Sequence, residues 1–221
     1  MPAGFRVLRR KRKVAAEWAQ KFRALPVANV SDSMFRLTAG GARLRPYHRG
    51  GAMAGPALTV RSAPGDNLMV HMARNLAEKG DVIVVDAGGQ LENSIIGERM
   101  LAYCVAKGFG GIVINGAVRD VAWIREQDFP VYAAGVTHRG PYKNGPGEIN
   151  VPVQVGGMVV QPGDVIVGDR DGLLAFPAAD AAVVIEKALT QQKKEDLQME
   201  EIRNGRWDRS FLEALEAKAI N

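Results

Sequence analysis

Between Gly97 and Asp120 the chain reads GERMLAYCVAKGFGGIVINGAVRD, a run that leaves few folds open. Met100 with Cys104, and Leu101 with Val105, repeat at helical spacing, predicting a helix that opens at Gly97–Glu98. Gly108, Gly110 and Gly111 end it, since glycine enters the left-handed conformation that other residues resist. Ile112-Val113-Ile114 then predicts a strand buried on both faces. Helices feeding buried strands build layered α/β domains, which bind ligands just beyond the strand ends. Arg119 and Asp120 stand at that place.

The chemistry of such a place follows from its parts. Free N–H groups at a helix N-terminus attract an anion through hydrogen bonds and partial positive charge. The planar fork of Arg119 matches a carboxylate or a developing oxyanion. At an effective dielectric near 20, an arginine ~4 Å from that charge contributes roughly 4 kcal/mol, about three decades of rate. Asp120 offers a hard oxygen of the kind that holds magnesium together with waters and substrate. Glu98 is placed to hold a water or to act as an acid or base. The same residues would also satisfy a plainer description, a capped helix beside a surface ion pair worth ~0–1 kcal/mol.

Composition narrows the partners. The 221 residues suit a single domain, and the net charge of +5 raises the question of nucleic acid. Residues 1–23 hold eight Lys/Arg against Glu17 alone, leaving 21 basic and 23 acidic residues in the remainder. The positive charge is thus a feature of a basic N-terminal arm, 1–23, and nucleic acid is not the expected partner. The single cysteine, Cys104, excludes an internal disulfide, fits a reducing compartment and falls on the apolar face of the central helix. No apolar run reaches the ~18 residues of a membrane span, and the N-terminus lacks a secretory apolar stretch. A soluble, cytoplasmic protein is expected.

Elsewhere the sequence predicts a helix over 14–25 stopped by Pro26, and a short helix capped by Ser31 or Asp32 running to about Leu37. Strands are expected at 57–61, 131–134, 149–155 and 173–176, with helices at 67–78 and 121–127. GDVIVVDAGG (80–89) recurs as GDVIVGDRDG (163–172), read as one turn-strand-turn solution used twice. The Gly- and Pro-rich stretch 137–147, carrying His138, Arg139 and Lys143, reads as an exposed loop near a site mouth. A C-terminal helical extension spans 178–221, with a long helix to about Arg203 and a short one from Phe211. The three histidines show no metal-type spacing, and neither a dinucleotide nor a Walker fingerprint is complete.

Taken together, VSDSM (30–34), GPALTV (55–60), PGDNLMV (64–70), GDVIVVDAGG (80–89) and the Gly97–Asp120 run resemble the RraA-like family. So do PVYAAG (130–135), PGEINVPVQVGG (146–157) and PGDVIVGDRDG (162–172). The aldolase branch of that family is marked by an acidic residue, twenty intervening residues, then Arg-Asp, and Glu98, 99–118 and Arg119-Asp120 fit that spacing. The acidic position is usually aspartate there, so glutamate extends the carboxylate by ~1.5 Å.

The resemblance implies a single swivelling β/β/α-type α/β domain, 1–221, assembled as trimers or dimers of trimers with sites between subunits. It implies a class II, divalent-metal-dependent aldolase cleaving 4-hydroxy-4-methyl-2-oxoglutarate-type 2-keto acids to pyruvate, with oxaloacetate decarboxylase activity. Asp120 would bind magnesium or manganese, Arg119 would contact the keto oxygen, and Glu98 would serve proton transfer. The turn Gly97, Glu98, Arg99, Met100 would bind the substrate carboxylate. An acid from a neighbouring C-terminal region, Glu195, Glu200 or Glu201, would complete the site. The family's other branch implies a non-catalytic regulator that binds and inhibits RNase E.

Overall fold

A computed structural model of the chain describes residues 3–212. At its centre lies β2 (Met53–Ser62), long enough to belong to two halves of one curled sheet. Its second half pairs in parallel with β3 (Val82–Asp86), which pairs with β5 (Gly111–Val118), then β6 (Val131–Val136), also in parallel. Its first half pairs antiparallel with β10 (Val165–Gly168), followed by β11 (Leu173–Phe176). Short strands β1 (Arg45–Pro46), β4 (Ser94–Ile96) and β7 (Gly147–Ile149) add to β6, β5 and β2, and β8 (Val153–Val155) with β9 (Met158–Val160) forms a separate hairpin. The two G-D-V-I-V segments therefore become strands on opposite sides of β2, one parallel and one antiparallel.

Strand alternation sorts the core into layers. Ile83 and Val85 of β3 face α3 (Leu68–Leu76), α4 (Glu98–Ala106) and α5 (Val121–Glu126). Val82 and Val84 face inward, onto Ile166 and the β8–β9 hairpin. On β10, Val165 and Val167 turn outward to α1 (Ala16–Arg23), α2 (Val27–Ser33) and α6 (Ala181–Arg203). This is a single mixed α/β domain with strands buried on both faces, the condition that makes them continuous apolar runs. Cys104 is fully buried, and burial pushes its thiol up to about 12.

Three expectations change in the folded chain. The second helix starts at Val27 and ends at Ser33. Pro26 presets its entry, and Asp169, 142 residues away, accepts the Val27 N–H at 2.9 Å. Asp32 instead pairs with Arg36 at 2.8 Å. The strand expected over 149–155 is broken, because Asn150 takes a left-handed φ of 57° and sends β7 and β8 to different sheets. Arg45–Pro46, Ser94–Ile96 and Met158–Val160 are strands that no local pattern announced. The helix expected from Phe211 lies mostly outside the described residues.

The basic arm is committed to the body. Val7 bridges to Ile149, Arg6 pairs with Glu148, Lys13 with Glu78, and Arg10 with the buried Asp81. Among the described residues, three of its eight Lys/Arg (Arg6, Arg10 and Lys13) are answered by acids of the same chain.

His48, 3% exposed, accepts the Val131 N–H at Nδ1 (3.2 Å) and donates from Nε2 to Gly51 O (3.1 Å), so it folds neutral. Burial holds its pKa below the ordinary histidine value. The unfolded chain therefore takes up a proton first, and stability should fall as pH drops below about 6.5. Thermal unfolding from pH 7.5 to 5 should show this decline, and His48→Gln should flatten it.

Candidate active site

β4 and β5 run parallel with Ser94 opposite Ala117 and Ile96 opposite Val118, and Arg119 N–H donates to Ile96 O at 3.0 Å. Gly97 and Arg119 therefore leave adjacent strand ends side by side. The Glu98 N–H, first of α4, donates to Asp120 Oδ2 at 2.9 Å, so a carboxylate from the neighbouring strand caps the helix. Asp120 reaches back because it takes a left-handed φ of 59°, a conformation aspartate tolerates better than most residues, and with Arg119 it turns β5 into α5 within two residues. Arg119 Nε lies 3.7 Å from Asp120 Oδ2, with both side chains about two-fifths exposed, so the pair is loose.

Gly97 is required by space, its φ of −149° being ordinary extended backbone. A Cβ there would overlap Asp120 Oδ2 and lie 2.8 Å from Arg119 Cγ and 3.0 Å from Arg119 Nε. Gly97→Ala should displace the carboxylate and guanidinium together, and misplacement of that size costs about 100-fold in turnover. Steady-state kinetics of the variant check this.

Two adjoining hollows meet at Arg119. A recess of about 40 Å³ is bounded by Ile96, Gly97, Met100, Asp120 and Pro141. A cleft of about 470 Å³ shares Asn67, Arg99, Met100, Arg119 and Pro141 with it and extends to His71, Arg74, Tyr103 and Lys143. Gly97, Arg99, Met100, Arg119 and Asp120 thus come together as expected. Glu98 contributes its amide, while its side chain is exposed and lines neither hollow. Glu200 and Glu201 border a different depression, and Glu195 accepts from Gln191 at 2.7 Å.

Asn67, Arg74 and Tyr103 went unmarked in the sequence reading. Asn67 is 2% exposed, donates to Ile95 O at 2.9 Å and leaves its Oδ1 without a partner. Its one local signal was its place at the start of a helix after Pro64-Gly65-Asp66. The 137–147 segment is a fixed wall. Buried Asp66 accepts N–H bonds from Leu68, Asn144 and Gly145, and Asn67 N–H donates to Tyr142 O.

A metal would find one protein carboxylate here. Among the described residues no group of three or more His, Cys, Asp or Glu could hold an ion. A zinc-type cage is therefore absent among them, whereas magnesium is commonly held by one or two carboxylates plus waters and substrate. Asp120 Oδ1, which makes no hydrogen bond among the described residues, fits that pattern.

The structure is a layered α/β domain with a cation-lined cleft at paired strand ends and helix starts. The chain belongs to the RraA-like family, Aldolase/RraA, whose family model matches residues 27–175. A protein of Halalkalibacterium halodurans, provisionally named as 4-hydroxy-4-methyl-2-oxoglutarate aldolase, is 37% identical over 81% of this chain and 86% of its own length. The 4-hydroxy-4-methyl-2-oxoglutarate aldolase of Thermus thermophilus is 36% identical over 53% and 72%. Among solved structures, the RNA-processing inhibitor RraA from Thermus thermophilis aligns with a TM-score of 0.63 at 31% identity, covering 69% of this chain and 92% of that one. An uncharacterized Pseudomonas syringae protein shares the fold, with a TM-score of 0.78 at 24% identity over 87% and 95%. No helix among the described residues is long and apolar enough to cross a membrane.

Proposed function

We propose that the protein is a divalent-metal-dependent lyase of 2-keto acids, cleaving substrates of the 4-hydroxy-4-methyl-2-oxoglutarate type to pyruvate and also decarboxylating oxaloacetate. The observation that carries this is Asp120, turned by its left-handed backbone onto the first amide of α4 beside Arg119, at the mouth of a basic cleft. Relatives named as aldolases support the same reading.

Asp120 would hold magnesium or manganese. Bound there, the ion supplies Lewis acidity to the keto and carboxylate oxygens. Arg119 presents its fork to the charge that grows on the keto oxygen while the bond between C3 and C4 breaks. The hydroxyl on C4 gives up its proton, and C3 later takes one, so that both halves leave as pyruvate. Amides at the start of α4 orient the substrate carboxylate. Glu98, exposed beside the recess and flanked in sequence by the lining residues Gly97 and Arg99, is proposed to serve proton transfer through a bridging water. The proposed assembly is a trimer or dimer of trimers; exposed Leu189, Leu197, Met199 and Ile202 on α6 support packing between copies.

Pyruvate release from 4-hydroxy-4-methyl-2-oxoglutarate and from oxaloacetate, with magnesium or manganese and then with EDTA, tests the reading. Turnover is expected with metal and should disappear with chelator; no turnover with any divalent ion would remove the lyase assignment. The solved relative named as an RNA-processing inhibitor favours a second reading, a regulator that acts by contact with a ribonuclease such as RNase E. Asp120→Ala separates the two, since a contact surface should survive a change that ends metal chemistry.

A further inference from the structure

The N-terminal arm ends one side of the sheet and leaves its own outer edge open. Ile149 N–H donates to Arg6 O at 2.9 Å, and Leu8 N–H donates to Ile149 O at 3.1 Å, so the arm runs in parallel along β7 as an added strand. In such a ladder the residues between the bonded ones turn their N–H and C=O to the other side. Phe5, Val7 and Arg9 therefore direct their backbone groups away from β7, and among the described residues none of those groups has a hydrogen-bond partner. Residues 9–13 continue without any backbone hydrogen bond among the described residues.

Val7 and Arg9 also border a groove of about 610 Å³. Its apolar lining comes from Leu8, Leu58 and Leu76, and its free charge from Arg9, Lys11 and Arg12. These three cations are exposed and have no acid within 4.0 Å among the described residues, whereas Arg10 and Lys13 are held by Asp81 and Glu78.

An open strand edge recruits another extended chain through main-chain hydrogen bonds. The unanswered cations choose the charge of that chain. A second copy of this arm would set like charges against them, so the edge rejects its own kind. The groove is lined by no aromatic side chain, the platform on which single-stranded nucleic acid stacks its bases. A peptide that alternates acidic and apolar residues fits both demands. Its acids would meet Arg9, Lys11 and Arg12, and its apolar side chains would cover Leu8 and Leu76.

We infer that the arm and its groove are a docking site for an extended acidic segment of a partner protein, which adds as a strand to the outer edge of the arm. The site shares no lining residue with the Arg119 cleft, so the inference stands apart from the lyase reading.

Fluorescence anisotropy with the full chain tests it. The probe is a labelled peptide of five Glu-Val repeats, compared with Gln-Val repeats, with a Glu-Val peptide N-methylated at every second residue, and with an oligouridylate of equal length. The Glu-Val peptide should bind best, and the Gln-Val and N-methylated peptides should each bind at least tenfold more weakly. The N-methylated peptide keeps the charge and loses main-chain donors, so it reads the strand addition on wild-type protein. Reversing Arg9, Lys11 and Arg12 together to Glu should also weaken binding at least tenfold, with the thermal midpoint little changed because these side chains pair with nothing in the fold. Reversing the exposed Arg125, Arg170 and Lys193 to Glu changes net charge equally and should leave binding intact.

No binding of the Glu-Val peptide overturns the docking site. Equal binding of the N-methylated peptide overturns the added strand, and equal losses in the two triple variants overturn its location. Tighter binding of the oligouridylate would make the arm a nucleic-acid surface and overturn the peptide assignment.

Discussion

Asp120→Ala will leave a folded protein without measurable pyruvate release, a loss of at least about three decades in kcat/KM. The side chain carries two tasks that can be separated. It caps α4 through the Glu98 N–H, a contact worth about 1 kcal/mol, so the thermal midpoint should fall by only about 2–4 °C. It also supplies the only carboxylate among the residues bounding the recess. Asp120→Asn keeps an acceptor for the amide and removes the charge, so it should restore the midpoint and leave turnover absent. Recovery of activity in Asp120→Asn would show that geometry, not charge, is what the reaction draws from this residue.

Arg10→Ala will be the most damaging removal of a charge in the N-terminal arm. Arg10 Nη2 pairs at 2.9 Å with Asp81, whose side chain is fully buried and already accepts the Glu78 N–H at 2.8 Å. Removing the cation strands a buried carboxylate, which costs about 3–5 kcal/mol. At roughly 2–4 °C per kcal/mol for a chain of this size, the midpoint should drop by about 10 °C. Lys11→Ala, at an exposed neighbour without an ion pair among the described residues, should stay within about 0.5 kcal/mol of wild type. Arg10→Ala combined with Asp81→Asn should recover part of the loss, because the double change leaves no buried charge. Equal effects of the Arg10 and Lys11 substitutions would mean that the arm contributes little to folding.

The arm also illustrates why charge counts in a sequence are poor guides to partners. Seven net positive charges in 23 residues resemble a nucleic-acid arm. The acids that answer three of these cations, Glu78, Asp81 and Glu148, lie 65 to 142 residues away. Only the fold brings the two sets into contact.

What was legible from sequence was local. Helical spacing at Met100/Cys104 and Leu101/Val105, the glycine stop and the β-branched run located α4 and β5 to within a few residues. Those features depend on neighbours in the chain, so a window of residues contains them. The same window placed Arg119 and Asp120 beyond a strand end, and the motif order carried the family.

What tertiary structure alone decided was how distant pieces meet. The register of β4 on β5 sets Gly97 against Asp120, and three residues of strand are too few to announce that pairing. The carboxylate that caps α4 comes from 22 residues on, and the one that starts α2 comes from 142 residues on. Asn150 breaks its strand because two sheets compete for its flanks. His71 and Arg74 of α3, Tyr103 of α4 and Lys143 of a pinned loop become one cleft only after β2, β3 and β5 align in parallel. Local periodicity chooses the elements; long-range hydrogen-bond register, which no short window encodes, chooses which side chains share a site.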